Sequence, residues 1–224
     1  MTAAAPPRLR WAEVDLDAIR ANVATLRALI PPPTRLAAVV KADAYGHGAV
    51  PVARAVLEGG AEWLTVATAA EALELRAAGI GAPVLLMGAA TPAELGELIA
   101  AGVSLSVSDR EGIEAAAGAV AGRRATVTGR PGAGPAPGAA GAAAERAMLH
   151  LKLDTGMHRL GAEAGAGLDL ARLIQASPGL RLEALWTHFA EADDPTSGRT
   201  GTQLGAFLAA AARIDQAGLA GGAA

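Results

Sequence analysis

The 224-residue sequence contains no cysteine, which excludes disulfide bonds, thiolate zinc sites and a thiol nucleophile. Aromatic residues are also few: three Trp, one Tyr and two Phe. The core must therefore be built mainly from Leu, Val, Ile and Ala. The formal net charge of -3 comes without a long basic run, so we expect no nucleic-acid partner.

Long hydrophobic runs are absent as well. The longest uncharged apolar stretches, such as LAAVV and AFLAAAA, are far too short to span a membrane, and we expect no membrane partner. The first residues lack the basic segment followed by an apolar one that marks a secretory signal. These observations favour a cytoplasmic protein.

Short apolar runs alternate with helical segments along most of the chain. The predicted strands are Arg35–Lys41, Trp63–Thr68, Val84–Gly88, Ser104–Val107, Ala147–Asp154 and Arg181–Phe189. The predicted helices are Leu16–Ile30, Ala49–Glu58, Ala69–Ala78, Pro92–Ala101, Asp109–Val120, Leu168–Ala176 and Thr202–Ala217. This alternation favours parallel strands joined by right-handed crossovers, and hence an α/β fold.

No dinucleotide-binding glycine fingerprint follows the first predicted strand, which favours a (β/α)8 TIM barrel over a doubly wound sheet. Such a barrel has eight strands, whereas six are predicted here. We therefore expect an incomplete barrel of about six of the eight βα units. Residues 129–144 read GRPGAGPAPGAAGAAA, a composition that predicts a flexible surface insertion.

Two predicted strands carry side chains suited to chemistry. Lys41 ends the first strand, and the carboxyl end of a parallel strand is where barrel enzymes place catalytic groups. In AMLHLKLD, the leucines alternate with His150, Lys152 and Asp154, so these three polar side chains are predicted to point into the barrel. Ionisable groups are costly there, which indicates a ligand or catalytic network.

Two loops are predicted to lie at the same end of the barrel. The glycine-bracketed loop TGMHRLG carries Arg159, whose guanidinium suits a carboxylate or phosphate. The sixth predicted strand ends in WTHF, which places His188 at the same rim.

Three segments together resemble the signatures of the alanine racemase family: VVKADAYGHG, LKLDTGMHRLG and LEALWTHFAEAD, in that order. The resemblance runs from about Trp11 to about Ala217. It implies a barrel of fold type III that uses pyridoxal 5′-phosphate (PLP) and interconverts L- and D-alanine, supplying D-alanine to the cell wall. It also implies a homodimer.

The resemblance assigns a role to each matching residue. Lys41 is similar to the lysine that binds the cofactor covalently and acts as the base on the D-alanine side. Tyr45 matches the tyrosine that contacts the phosphate, and His188 the histidine beside the pyridine ring. Arg159 matches the arginine that contacts the phenolic oxygen and the substrate carboxylate. Lys152 matches a lysine that is often carbamylated, whose added carboxylate would hold Arg159.

The sequence also departs from the family pattern. Asp43 stands where asparagine is commoner, and His158 where glycine is commoner, which is expected to narrow the turn before Arg159. The family's second base is a tyrosine from the partner subunit's C-terminal β-domain, and Tyr45 is the sole tyrosine here. We therefore expect a truncated racemase domain that spans residues 1–224.

Two alternatives stay open. One is a barrel fragment that binds PLP without racemising an amino acid. The other is a metal-dependent lyase or hydrolase built on the four histidines and an aspartate, although these residues show no recognisable ligand spacing and we expect no metal. The four histidines are His47, His150, His158 and His188, and the aspartate is Asp154.

Overall fold

The computed structural model describes residues 11–128 and 146–219. The predicted insertion at 129–144 lies outside the described residues. Seven strands are described: β1 Ala37–Val39, β2 Trp63–Val66, β3 Val84–Leu86, β4 Val103–Val107, β5 Ala147–Asp154, β6 Ala162–Glu163 and β7 Leu180–Trp186. The helices are α1 Leu16–Leu29, α2 Lys41–Gly46, α3 Ala49–Glu58, α4 Ala69–Ala77, α5 Pro92–Ala100, α6 Arg110–Thr128, α7 Gly167–Ala176 and α8 Arg199–Gln216.

All paired strands run parallel, in the order β1-β2-β3-β4-β5, and β5 pairs with both β7 and the short β6. The α/β fold class is therefore confirmed. In the described residues, β1 pairs only with β2 and β7 only with β5, so these strands form an open part of a barrel.

The six predicted strands correspond to β1–β5 and β7, and the seven predicted helices to α1 and α3–α8. The two-residue β6 was not predicted. The prediction that Lys41 belongs to the first strand is wrong, because β1 ends at Val39 and Lys41 opens a separate turn. Likewise, β7 ends at Trp186, and the predicted extension to Phe189 is loop.

The core lies between the outer face of the sheet and the helices. Leu149, Leu151 and Leu153 of β5 are fully buried in it, and α6 and α7 pack against β5. The alternation in β5 thus separates a core-facing leucine row from a polar row on the opposite, inner face of the sheet. The polar side chains of β5 therefore face the barrel interior.

Arg76 of α4 connects two loops at the amino ends of the strands. Its guanidinium donates hydrogen bonds to the carbonyl oxygens of Ala101, Ile80 and Ala82, each at 2.8 Å, and of Gly102 at 3.1 Å. These carbonyls belong to the α4–β3 and α5–β4 connections. One side chain therefore holds two successive βα units together.

The segment after Lys41 is a left-handed helical turn. Ala42, Asp43, Ala44 and Tyr45 all have φ between 51° and 56°. For L residues this conformation costs roughly 1–2 kcal/mol each, and it normally occurs at single residues. Four in a row therefore require compensating contacts from the surrounding structure.

Candidate active site

Lys41 is placed by backbone contacts on both sides. The preceding N–H, of Val40, donates to the Thr65 carbonyl of β2 at 2.9 Å. The following N–H, of Ala42, donates to the Glu71 carboxylate at 2.7 Å. The Lys41 Nζ lies 5.8 Å from the centroid of the Tyr45 ring, and Tyr45 is 62% exposed. Lysine and tyrosine thus meet at the carboxyl end of β1.

Lys152 lies on the inner face of β5 and is only 4% exposed. Its Nζ lies 4.3 Å from the centroid of the Trp186 ring, an arrangement typical of a cation–π contact. Trp186 Nε1 in turn donates to Ser106 Oγ at 2.8 Å, which fixes the ring. Burial and the positive charge of Arg159 both lower the pKa of Lys152, against the opposing effect of Asp154.

The loop that carries Arg159 is held by Asp154. Its Oδ1 accepts hydrogen bonds from the N–H groups of Gly156, Met157 and His158 at 2.9, 3.0 and 3.1 Å. Burial alone would raise the pKa of Asp154, but these bonds and His158 hold it below its ordinary value. Asp154 therefore acts as an anchor for the loop.

The departure from the family pattern at His158 falls at a strained position. His158 has φ of 54°, in the left-handed region that glycine adopts most readily. Its ring Nδ1 lies 3.3 Å from Asp154 Oδ2, and its side chain is 80% exposed. The contact with Asp154 is a local compensation for this strain.

Gln203 of α8 joins the loops after β5 and β7. It is 3% exposed, and its Nε2 donates to the His188 carbonyl at 3.0 Å and to Thr155 Oγ1 at 3.4 Å. Its Oε1 accepts from the N–H of Ala190 at 2.9 Å. The two loops are further linked by the 2.8 Å contact between the hydroxyls of Thr155 and Thr187.

Four predicted site residues come together around one imidazole. Burial lowers the pKa of His188, and so do the positive charges of Arg159, Lys152 and Lys41, in that order. Each of these effects favours the neutral form of the His188 imidazole. The arrangement is a cationic cluster at the carboxyl ends of β1, β5 and β7.

His150 lies deeper in the barrel, away from this cluster. Its Nε2 is 3.0 Å from Glu183 Oε2, which also accepts from Ser104 Oγ at 2.6 Å. The His150 and Trp63 rings are 5.4 Å apart between centroids. A cavity of about 300 Å³ lies near the amino ends of the strands, lined by Arg35, Trp63, Met148, His150, Arg181, Glu183 and Ala184.

The four histidines do not form a common site. His47 Nδ1 lies 2.9 Å from the Ala44 carbonyl, whereas His150 contacts Glu183 and His158 contacts Asp154. Within residues 11–128 and 146–219, no three His, Asp or Glu side chains are grouped so that they could hold a metal ion. None of the helices described is long and apolar enough to cross a membrane.

Residues 14–223 match the family model described as alanine racemase, N-terminal domain. The chain belongs to this family. Curated relatives named alanine racemase include one from Geobacillus stearothermophilus, 42% identical over 88% of this chain and 46% of its own length. Another, from Desulforamulus reducens, is 38% identical over 93% of this chain and 51% of its own length.

Solved alanine racemase structures share the fold. The Bacillus anthracis enzyme with bound L-Ala-P superposes with a TM-score of 0.79 at 34% identity, covering 96% of this chain and 50% of that one. The Streptomyces lavendulae enzyme gives a TM-score of 0.76 at 38% identity, covering 91% of this chain and 48% of that one. This alanine racemase N-terminal domain thus spans about half the length of the relatives it matches.

Two residues of this racemase domain were missed by sequence reasoning. Glu71 contacts the backbone beside Lys41, and Gln203 joins the two loops that carry Thr155 and His188. The spacing of Thr68 and Glu71 is a visible capping-box signal, but it predicts only where a helix begins. No sequence signal marks Gln203, which lies in the second turn of the amphipathic helix α8.

Proposed function

We propose that this chain is the cofactor-binding barrel portion of a PLP-dependent alanine racemase, an isomerase that interconverts L- and D-alanine. The observation that carries the proposal is the cluster of Lys41, Lys152, Arg159 and His188 at the carboxyl ends of β1, β5 and β7. The proposal extends to D-alanine supply for peptidoglycan and a cytoplasmic location, which the family resemblance implies.

The residues present fit this cofactor chemically. Lys41 offers an amine for an aldehyde, and the exposed Tyr45 offers a hydroxyl to a phosphate. Positive charges around His188 favour an anionic ligand, such as a phosphate ester or an amino-acid carboxylate. The lowered pKa of His188 favours an uncharged imidazole, which suits a position beside the pyridine ring of the cofactor.

When bound, PLP supplies an electron sink that makes the α-proton of an amino acid acidic. In this proposal the Lys41 amine removes or returns that proton on one face of the α-carbon. Arg159 binds the substrate carboxylate, and its loop is held by the Asp154 contacts with Gly156 and its neighbours.

Racemisation also needs a base on the opposite face. The family resemblance implies that this base is a tyrosine from the C-terminal domain of a partner subunit. A homodimer is therefore part of the proposal. In this scheme Lys152 supports Arg159 as a carbamate, as the resemblance implies, because the added carboxylate would hold the guanidinium.

The test combines labelling with an activity assay. The chain is incubated with PLP, reduced with borohydride and mapped by peptide mass spectrometry, with Lys41→Ala as the control. We expect the pyridoxyl adduct on Lys41. An adduct located elsewhere in the folded wild-type protein would overturn the proposal.

Activity is measured as D-alanine formed from L-alanine, in this chain and in a version that carries the C-terminal half of a relative. We expect racemisation in the longer version that is lost in its Lys41→Ala variant. A Lys41 adduct without racemisation in either version would instead favour a PLP-binding protein that is not a racemase.

A further inference from the structure

The strained turn after Lys41 needs something to hold it. Within the segment, the Asp43 carboxylate accepts a hydrogen bond from the Ala49 N–H at 2.6 Å, and the Gly48 N–H donates to the Asp43 carbonyl at 2.9 Å. These contacts close the end of the turn that is distant from Lys41. The end next to Lys41 is held by a residue on another βα unit.

That residue is Glu71, in the first turn of α4. Its Oε1 accepts the N–H of Ala42 at 2.7 Å, and this N–H belongs to the peptide bond that follows Lys41. Its Oε2 accepts the N–H groups of Ala67 and Thr68 at 2.8 and 3.1 Å. The two oxygens of one carboxylate therefore have separate roles. Oε2 caps α4, and Oε1 accepts a hydrogen bond from the backbone next to Lys41, at the carboxyl end of β1.

We propose that Glu71 is a positioning residue for Lys41. Its hydrogen bond fixes the peptide bond between Lys41 and Ala42, where the left-handed turn begins. This contact sets the direction in which the Lys41 side chain points at the carboxyl end of β1. The part of this inference that concerns cofactor binding rests on the proposed function of Lys41. The structural part does not.

Glu94 of α5 provides a matched control within the same chain. It also completes a capping box, and its Oε2 accepts from the N–H and the hydroxyl of Thr91 at 2.8 and 2.7 Å. In the described part of the chain its hydrogen bonds all stay within this cap. Glu71 differs because its second oxygen bonds the backbone of another element.

Glu71→Gln separates the two roles of this side chain. A carboxamide has one acceptor oxygen and one NH₂ group. The oxygen is expected to stay with the two donors, Ala67 and Thr68, which leaves the NH₂ facing the N–H of Ala42. The helix cap is then kept, as glutamine serves in capping boxes, and only the contact beside Lys41 is lost.

The experiment measures amide hydrogen exchange by NMR and PLP affinity by absorbance, for the wild type, Glu71→Gln and Glu94→Gln. We expect Glu71→Gln to speed exchange at Ala42 and to raise the apparent dissociation constant for PLP, each by roughly tenfold or more, since a hydrogen bond to a charged group is lost. Exchange within α4 should change little. Glu94→Gln should leave both quantities within about twofold of the wild type.

A folded Glu71→Gln protein with wild-type exchange at Ala42 and wild-type PLP affinity would overturn the inference. If the wild type forms no Lys41 adduct, the proposed function fails, yet exchange at Ala42 still decides the role of Glu71 in the turn. If Glu71→Gln does not fold, the wild type is titrated with acid. The amide proton shifts of Ala42, Ala67 and Thr68 should then share one midpoint, and an Ala42 amide that ignores this titration would refute the contact.

Discussion

Replacing Arg76 with methionine should destabilise the protein by about 2–4 kcal/mol. The substitution keeps the aliphatic stem but removes four hydrogen bonds to carbonyl oxygens of the α4–β3 and α5–β4 connections. A hydrogen bond to a charged group contributes about 1.5–3 kcal/mol. Arg76 is only partly buried, so water replaces some of these bonds, and the expected total is well below four times that figure.

The assay is thermal and urea denaturation followed by circular dichroism. For a domain of this size, about 2–4 °C of melting temperature corresponds to 1 kcal/mol, so Arg76→Met should lower the melting temperature by roughly 4–16 °C. Arg76→Lys should recover only part of the loss, because a lysine ammonium cannot reach all four carbonyls in a plane.

The matched control is Arg54→Met. Among the described residues, Arg54 donates one side-chain hydrogen bond, to the Ala78 carbonyl at 2.9 Å. Because this bond is exposed to water, the replacement should cost no more than about 1 kcal/mol. Equal stability losses for Arg76→Met and Arg54→Met would refute the idea that Arg76 holds the two βα units together.

Three further outcomes are expected. Gly161→Ala should lower the free energy of unfolding, measured by urea denaturation, by about 2–4 kcal/mol. Gly161 has φ of 142°, and an added Cβ would lie 2.7 Å from the backbone nitrogen of Asp154. Gly165→Ala is the control, because a Cβ there meets open space. Gln203→Leu should cost about 2–4 kcal/mol in thermal denaturation, because the buried Gln203 amide is lost and the His188 carbonyl and the Ala190 N–H lose their partner. Burial raises the pKa of Glu183, but hydrogen bonds from an imidazole and a hydroxyl hold it below 4.5. Its charge should therefore stabilise the protein above that pH and lose this effect as the pH falls through the lower folded value. The urea midpoints of wild type and Glu183→Gln should then converge as the pH is lowered below about 4.5.

Much of the fold could be predicted because its signals are local. Strands and helices alternate with distinct hydrophobic periods, and helix ends carry their own residues, such as Thr91 before Pro92 and the positive-φ glycines Gly79 and Gly102. The left-handed turn after Lys41 could not be predicted. Apart from Asp43, its residues have no local preference for that conformation, and the Glu71 contact that holds it comes from 29 residues further along the chain.

The candidate site also has a part that could be predicted from sequence and a part that could not. Lys41, Arg159 and His188 could be placed together because each follows a parallel strand, and such strand ends meet at one edge of the sheet. Their supporting contacts depend on how helices pack over the sheet. Gln203 and the partnership of His150 with Glu183 therefore emerged only from the three-dimensional arrangement.

The handedness of the turn at residues 42–45 also limits which amino acids these positions can accept. Side chains branched at Cβ are strongly disfavoured there, whereas Asn and Asp tolerate the conformation well. Position 43 must in addition present an oxygen to the Ala49 N–H, a requirement that Asp43 meets and that asparagine could meet equally. In a mutational library, position 43 should therefore accept very few amino acids. They must tolerate the left-handed backbone and must also offer an oxygen to the first residue of α3.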